Sequence, residues 1–172
     1  MTAILPSITE ANLFKALGDF ISSIVDCQVI RAQVNRTAMP PGDFVSMTQS
    51  SSAPLSTNID SNTSNTKSVK APTRWGAQID CYGAQACDRA KAITALLRDD
   101  YACQQFAASG YDIQPLYASD AQQMPLITGE QQYLERWTFE IALQYNGILT
   151  VSQDTADALV VGLINVDATY KP

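Results

Sequence analysis

The sequence contains no histidine. That removes the commonest general base and the commonest metal ligand together. Positive charge is scarce as well: 11 Lys and Arg stand against 17 Asp and Glu, for a net charge of −6, and the basic residues do not cluster. Tight binding to nucleic acid needs a basic stripe, so that class is set aside. An acidic surface does suit a channel through which a polyanion must slide without sticking. Charged residues are only 16% of the chain, low for a free soluble domain, and this fits a protein that hides surface against copies of itself or against partners. No apolar run approaches the roughly 20 residues of a membrane helix. The opening MTAILPSITEANLF has neither the basic start nor the unbroken apolar stretch of a secretory signal. The expectation is a soluble protein made in a cytoplasm, with no membrane partner.

The chemistry-bearing residues that remain do not assemble into a reaction. Cys27, Cys81, Cys87 and Cys103 form no C-x-x-C pair and have no histidine beside them, which argues against zinc. Cys81 and Cys87 stand six apart. A disulfide there is one reading, and reduced buried thiols are the one a cytoplasm favours. Asp99 and Asp100 in LLRDDYACQQF are adjacent, and neighbours on a helix point about 100° apart, so they read as a solvated helix end rather than a carboxylate dyad. Asp80 and Tyr82 either line a pocket or, as preferred here, form a surface-facing polar row. No Walker, dinucleotide, nucleophile-elbow or zinc-protease motif occurs. No catalytic residue, cofactor or metal is expected, and the chain does not read as an enzyme.

Along the chain, a capping box with Ser7 at the N-cap and Glu10 three residues on opens a helix. Its apolar stripe is Leu13, Phe14, Leu17, Phe20, Ile21 and Ile24. CQVIRAQVN and FVSMTQ read as strands separated by a Pro-Pro-Gly break. TRWGAQIDCYG alternates cleanly, with Trp75, Ala77, Ile79 and Cys81 on one side. A second helix carries Ala86, Ala90, Ile93, Leu96 and Leu97; Tyr101 and Phe106 extend it or start a second turn, and Gly110 offers a stop. A short strand follows near Ile113 to Ala118. RWTFEIALQYN then places Trp137, Phe139, Ile141, Leu143 and Tyr145 on a dry face, with Arg136, Thr138, Glu140 and Gln144 opposite. Asn146-Gly147 reads as a type I′ turn into a return strand, ILTV. A helical turn near Asp154 to Ala158 and a strand from Leu159 to Val166 close the chain. The stretch from Ser50 to Pro72, rich in Ser, Thr and Asn, lies between strands and reads as a long projecting hairpin or loop. The fold class is therefore α+β: one domain, residues 1–172, with a mostly antiparallel, mixed sheet, two helices on one face, and an arm at 50–72.

Several segments, in this order and spacing, carry a resemblance: PPGDFVSMT, then IDCYG with CDRA and LLRDDYAC, then GEQQYLERW with LQYN, and the terminal GLINVDATY. The chain resembles the phage neck terminator family, tail-terminator-like proteins of the head–tail junction of long-tailed bacteriophages, from about Gln33 to the C-terminus. The resemblance implies a tail-terminator-like fold and a structural virion protein, a homo-oligomeric ring, most often a hexamer. Such a ring caps the tail tube, ends tail growth and joins the tail to the head, while DNA transits its lumen without specific binding. The implied partners are the tail tube protein, a head–tail connector protein and the terminal sheath ring. It implies no catalytic residue. A closed ring needs two different surfaces that meet head to tail, and sheet edges and projecting segments supply them by strand addition or arm exchange. The candidate contacts are Ser56, Asn58, Asp60, Lys67 and Lys70 in the arm, Glu130, Gln131 and Gln132 in GEQQY, Glu140 on the aromatic strand, and Tyr170 in the tail from Gly162 to Pro172. Two other classes stand beside this one. A head-completion, connector or tail-tube-like ring would bind the portal rather than the tube end. A small cytoplasmic α+β enzyme or ligand-binding domain would be a stable monomer with a defined apolar pocket.

Overall fold

In the computed structural model the described residues are 4–33, 39–127 and 133–154. Three helices lie on one face of a seven-stranded sheet, and a separate two-stranded hairpin stands beside it. The α+β reading holds. The sheet runs β1 (Gln28–Arg31), β2 (Phe44–Pro54), β4 (Thr66–Tyr82), β9 (Arg136–Ser152), β5 (Ile113–Ala118). β3 (Ile59–Thr63) adds to β4, and β6 (Gln122–Gln123) adds to β9. Among the described strands of this sheet only β1 and β2 run parallel; every other pair is antiparallel.

Helix α1 (Glu10–Ser22) buries Leu13, Phe14, Leu17, Phe20 and Ile21, the stripe its spacing demands. Its N-cap is Thr9, not Ser7. Thr9 and Asn12 exchange side-chain and backbone hydrogen bonds, and Ser7 instead accepts from the Ile148 N–H at 3.0 Å through its Oγ. The second helical segment is two helices, α2 (Ala86–Leu97) and α3 (Asp100–Ala108). Asp99 makes the break: its backbone is extended and its Oδ1 accepts from the Tyr101 N–H at 2.9 Å, so the residue read as a solvated helix end is the N-cap of α3. Gly110, at φ 76°, ends that helix in the left-handed region.

The two 17-residue strands β4 and β9 are the spine, paired from Tyr82↔Arg136 to Thr66↔Ser152. β9 runs straight through Asn146-Gly147; with β4 continuing beside it as far as Thr66, these residues pair as Pro72↔Asn146 and Ala71↔Gly147 rather than turning. Trp75, Ala77, Ile79 and Cys81 meet Phe139, Ile141 and Leu143 on the helix side, all 3% exposed or less. Phe14 stands edge-on to Trp75, with centroids 5.2 Å apart, and Phe20 stacks on Phe106 at 5.4 Å. All four cysteines are free thiols; Cys81 is buried, Cys27 and Cys87 are half-buried and Cys103 is exposed.

The Ser/Asn-rich stretch is ordered as strand. The end of β2, all of β3 and the first turn-proximal residues of β4 form a ribbon with the end of β9, closed at Ser64-Asn65. Between Thr66 and Ala71 no residue is buried. At about 3.3 Å per residue, the 17 residues of β4 span about 55 Å, so the ribbon projects well past the helices. The expected turn near Asp154 to Ala158 and strand from Leu159 to Val166 fall at or beyond the end of the described residues.

Candidate functional site

Four of the pieces quoted for the resemblance, PPGDF, IDCYG, CDRA and ERW, meet at the end of the sheet opposite the ribbon. Asp80 on β4 is 4% exposed. Arg136 on β9 donates to its Oδ1 from Nε at 3.0 Å and Nη2 at 2.9 Å, and Gln78 Nε2 donates to both carboxylate oxygens at 3.1 Å. The expected surface-facing polar row is therefore corrected: a buried carboxylate must be paired, and the Arg of ERW supplies the pair. Above it, Arg136 lies 5.8 Å over the Tyr82 ring, and Tyr82 stacks on Phe44 with centroids 4.4 Å apart. Burial pushes the Tyr82 hydroxyl pKa up.

Gly83 sits at φ 102°, and a Cβ there would fall 1.8 Å from Asp43 Oδ1. The backbone conformation and the contact both demand glycine. Asp43 is held in turn by Arg89 of α2, whose Nη1 donates to Oδ2 at 2.7 Å; Nη2 reaches Asp26 Oδ1 at 3.0 Å. The hydrogen bond from Arg89 holds the Asp26 carboxyl below its usual range. One guanidinium thus ties α2 to the chain leaving α1 and to the start of β2. PPGDF, IDCYG, CDRA and ERW each contribute one part of this cluster. Spacing alone marked them as distinctive without showing that they meet, because the charge partners are 46 to 63 residues apart.

Nothing in the cluster is poised for reaction. The Cys81 thiol, beside it, is pushed up to about 12 by burial, so it stays protonated and inert near neutral pH. Among the described residues no group of three His, Cys, Asp or Glu could hold a metal ion. An open groove of about 550 Å³ lies next to the Asp80–Arg136 pair, lined by Gln78, Ser119, Gln122, Met124, Arg136 and Glu140. It is wide and polar, unlike the enclosed apolar site that a small-molecule ligand prefers.

The candidate contacts divide between two places. Ser56, Asn58, Asp60, Lys67 and Lys70 all lie on or at the base of the ribbon. Asp60 and Lys67 form a cross-strand ion pair at 2.6 Å, both partly exposed, and Lys70 reaches Asp112 at 3.4 Å. Screened pairs of this kind contribute little to stability. Glu140 is exposed on the floor of the groove, far along β9 from the ribbon. Glu130, Gln131, Gln132 and Tyr170 lie outside the described residues. Ile127 and Tyr133, the facing residues of the small hairpin β7 (Leu126–Ile127) and β8 (Tyr133–Leu134), are 62% and 79% exposed.

Among curated proteins, none matches this chain. Solved structures that share its fold include the sheath/tube terminator of an extracellular contractile injection system, PVC, in the extended state. That match has a TM-score of 0.52 at 13% identity and covers 96% of this chain, which spans 66% of that neighbour's length. The family described as "Phage neck terminator protein" matches residues 11–169, a range that takes in every member of the motif cluster. The chain belongs to the phage neck terminator family.

Proposed function

We propose that this tail-terminating structural protein is the subunit of a ring, a hexamer, at the head–tail junction of a phage virion. The ring closes the last layer of the tail tube, stops its growth and presents a docking surface to the head connector; the terminal sheath ring is its outer neighbour. DNA passes through the lumen without specific binding, which the −6 net charge favours by repulsion. The whole chain, 1–172, acts as a single domain carrying the ribbon as its arm. The protein is made in the host cytoplasm and resides in the neck.

The observation that carries this reading is the asymmetry of the spine. One end is locked by buried ion pairs and stacked rings; the other projects as a three-stranded ribbon with little burial on either face. A free protein gains nothing from such a ribbon, since strands become stable by covering a face, whereas a subunit that must grip unlike neighbours needs two unlike ends. The PVC neighbour, a terminator of both sheath and tube by its description, is a comparable part in a related kind of machine. Ser56, Asn58, Asp60, Lys67, Lys70, Glu130, Gln131, Gln132, Glu140 and Tyr170 are the proposed contacts.

Electron microscopy of the purified protein, alone and mixed with tail tubes, tests the reading. Rings seated at tube ends are expected. Replacing residues 56–69 by a tight turn should leave a folded subunit that neither closes rings nor joins tails. Monomers indifferent to tubes, or a shortened variant that still builds infectious particles, would overturn it.

A further inference from the structure

On the side of the sheet away from the helices, one charge stands without a counterpart among the described residues. Arg74 rises from β4 in a cross-sheet row with Ala53, Gln144 and Gln114. Its guanidinium lies 5.1 Å over the Tyr117 ring, and Nη2 donates to the Tyr117 hydroxyl. Nε is closed off from solvent and has no acceptor. No carboxylate among the described residues comes within ion-pair distance. Every other described Lys and Arg has one, except Lys91, which is exposed and solvated. A partly buried guanidinium without a counter-charge is unfavourable, and it is unexpected in a chain where acids outnumber bases 17 to 11.

The opposite side of the molecule shows the complementary surplus. Asp88 on α2 is exposed with no partner among the described residues, and Asp100 on α3 is exposed and bound only by Gln104 Nε2. We propose that Arg74 and Tyr117 form the receiving site for a carboxylate of a second copy of this chain, supplied by Asp88 or Asp100 of its helical layer. The site rests on the ring reading above. It deepens that reading, because a contact between the open sheet face of one copy and the helical face of the next joins two unlike surfaces, as a head-to-tail ring requires. Tyr117 holds the planar guanidinium in place before the partner arrives, so little side-chain freedom is lost on binding. Ile59 and Ile148, both exposed in one row across the ribbon base on the same face, continue that surface beyond Arg74.

Mass photometry and sedimentation velocity of the full chain, across protein concentration and salt, supply the test. R74E should raise the midpoint concentration for assembly by about tenfold or more, and salt should weaken the wild type more than the variant. R74M, which keeps a stem of similar length and removes the guanidinium over the Tyr117 ring, should lose assembly to a similar degree while its Tm stays near wild type, separating the contact from folding. Mixing R74E with D88R or with D100R should restore mixed assemblies for one of the two. If R74E and R74M assemble like the wild type, the site falls and the ring stands. If neither acid reversal rescues R74E, a second copy's helical layer is not the partner and the proposal is overturned. A wild type that never assembles, alone or on tubes, removes both readings.

Discussion

Arg136→Met isolates the energetic role of the locked end. The substitution keeps a stem of similar length and removes the guanidinium that faces Asp80 and lies over the Tyr82 ring. The Asp80 side chain is 5% exposed and that of Arg136 23%, so the change leaves a desolvated carboxylate with Gln78 as its remaining side-chain donor. Breaking a buried pair by removing one partner costs about 3–5 kcal/mol; because Arg136 retains some solvent, the lower end, about 3 kcal/mol, is the expected value. For a chain of this length that corresponds to a fall in Tm of about 6–12 °C. Removing both charges in D80A/R136M should cost less than the sum of the single changes, with a coupling of about 1–3 kcal/mol. Thermal and urea unfolding followed by tryptophan fluorescence measure all four proteins of the cycle, at a protein concentration where the wild type is monomeric so that assembly does not add to stability. A Tm within 2 °C of wild type for R136M, or a cycle additive to within about 0.5 kcal/mol, would refute the reasoning.

Gly83→Ala should destabilise by about 2 kcal/mol or more, since φ 102° is strained for any side chain and the new methyl meets Asp43 Oδ1; the same unfolding experiment reads it. Thiol labelling of the native protein at pH 8 should modify exposed Cys103 first and leave Cys81 unreacted until unfolding. The Cys81 pKa is raised in the folded state, from 9.0 to about 12, so its contribution to stability is complete below pH 9 and is lost as pH climbs toward 12. C81V should therefore shrink the drop in stability between pH 9 and 12, and an unchanged alkaline profile would count against this. The Asp26 carboxyl is lowered by its hydrogen bond from Arg89, so its contribution is present above the unfolded carboxylate range and disappears as pH falls through the folded value; D26N should flatten the acid limb of the stability profile. Trp75→Phe should cost less than an ordinary large-to-small change, because it also removes an indole N–H that is buried without an acceptor, whereas Trp75→Ala should cost about 3–5 kcal/mol.

The period of the apolar residues carried most of the fold. Trp137 to Tyr145 and Trp75 to Cys81 alternate because each strand has one face on the helices, and α1 repeats because it has one stripe to bury. Where the reading departed from the structure, a longer-range partner outweighed a local signal. Asn146-Gly147 is a strong turn dipeptide, but the neighbouring 17-residue strand continues past it. Ser7 and Glu10 have capping-box spacing, yet Ser7 is drawn to Ile148 on β9, leaving the cap to Thr9. The ribbon was legible as a projecting hairpin or loop from its place between strands, but not as regular strand. Its Ser, Thr and Asn content is that of a loop, and what makes it strand is a register with β4 and β9 that composition does not encode. The cluster was half legible: its residue strings were distinctive, but the pairings Asp80–Arg136 and Asp43–Arg89 exist only once the sheet has brought distant segments together.

That division follows from what each end must do. At the locked end, every group is specified by another: Gly83 by Asp43, Asp43 by Arg89, Asp80 by Arg136, and Tyr82 by Phe44. A change at one position strands its partner, so the residue types there are tightly constrained and read as motifs. The ribbon has no such closure. Its side chains are exposed or half-buried, its ion pairs are screened, and its backbone bonds tolerate almost any residue of adequate strand propensity. On the ring reading proposed above, the locked end would preserve the subunit's shape while the ribbon is free to vary with the surface it meets. Exchanging residues 56–69 between two members of the family should accordingly move tail-joining specificity with the ribbon and leave the Tm of the recipient nearly unchanged, whereas exchanging the segment around Asp80 to Arg89 alone should unfold it.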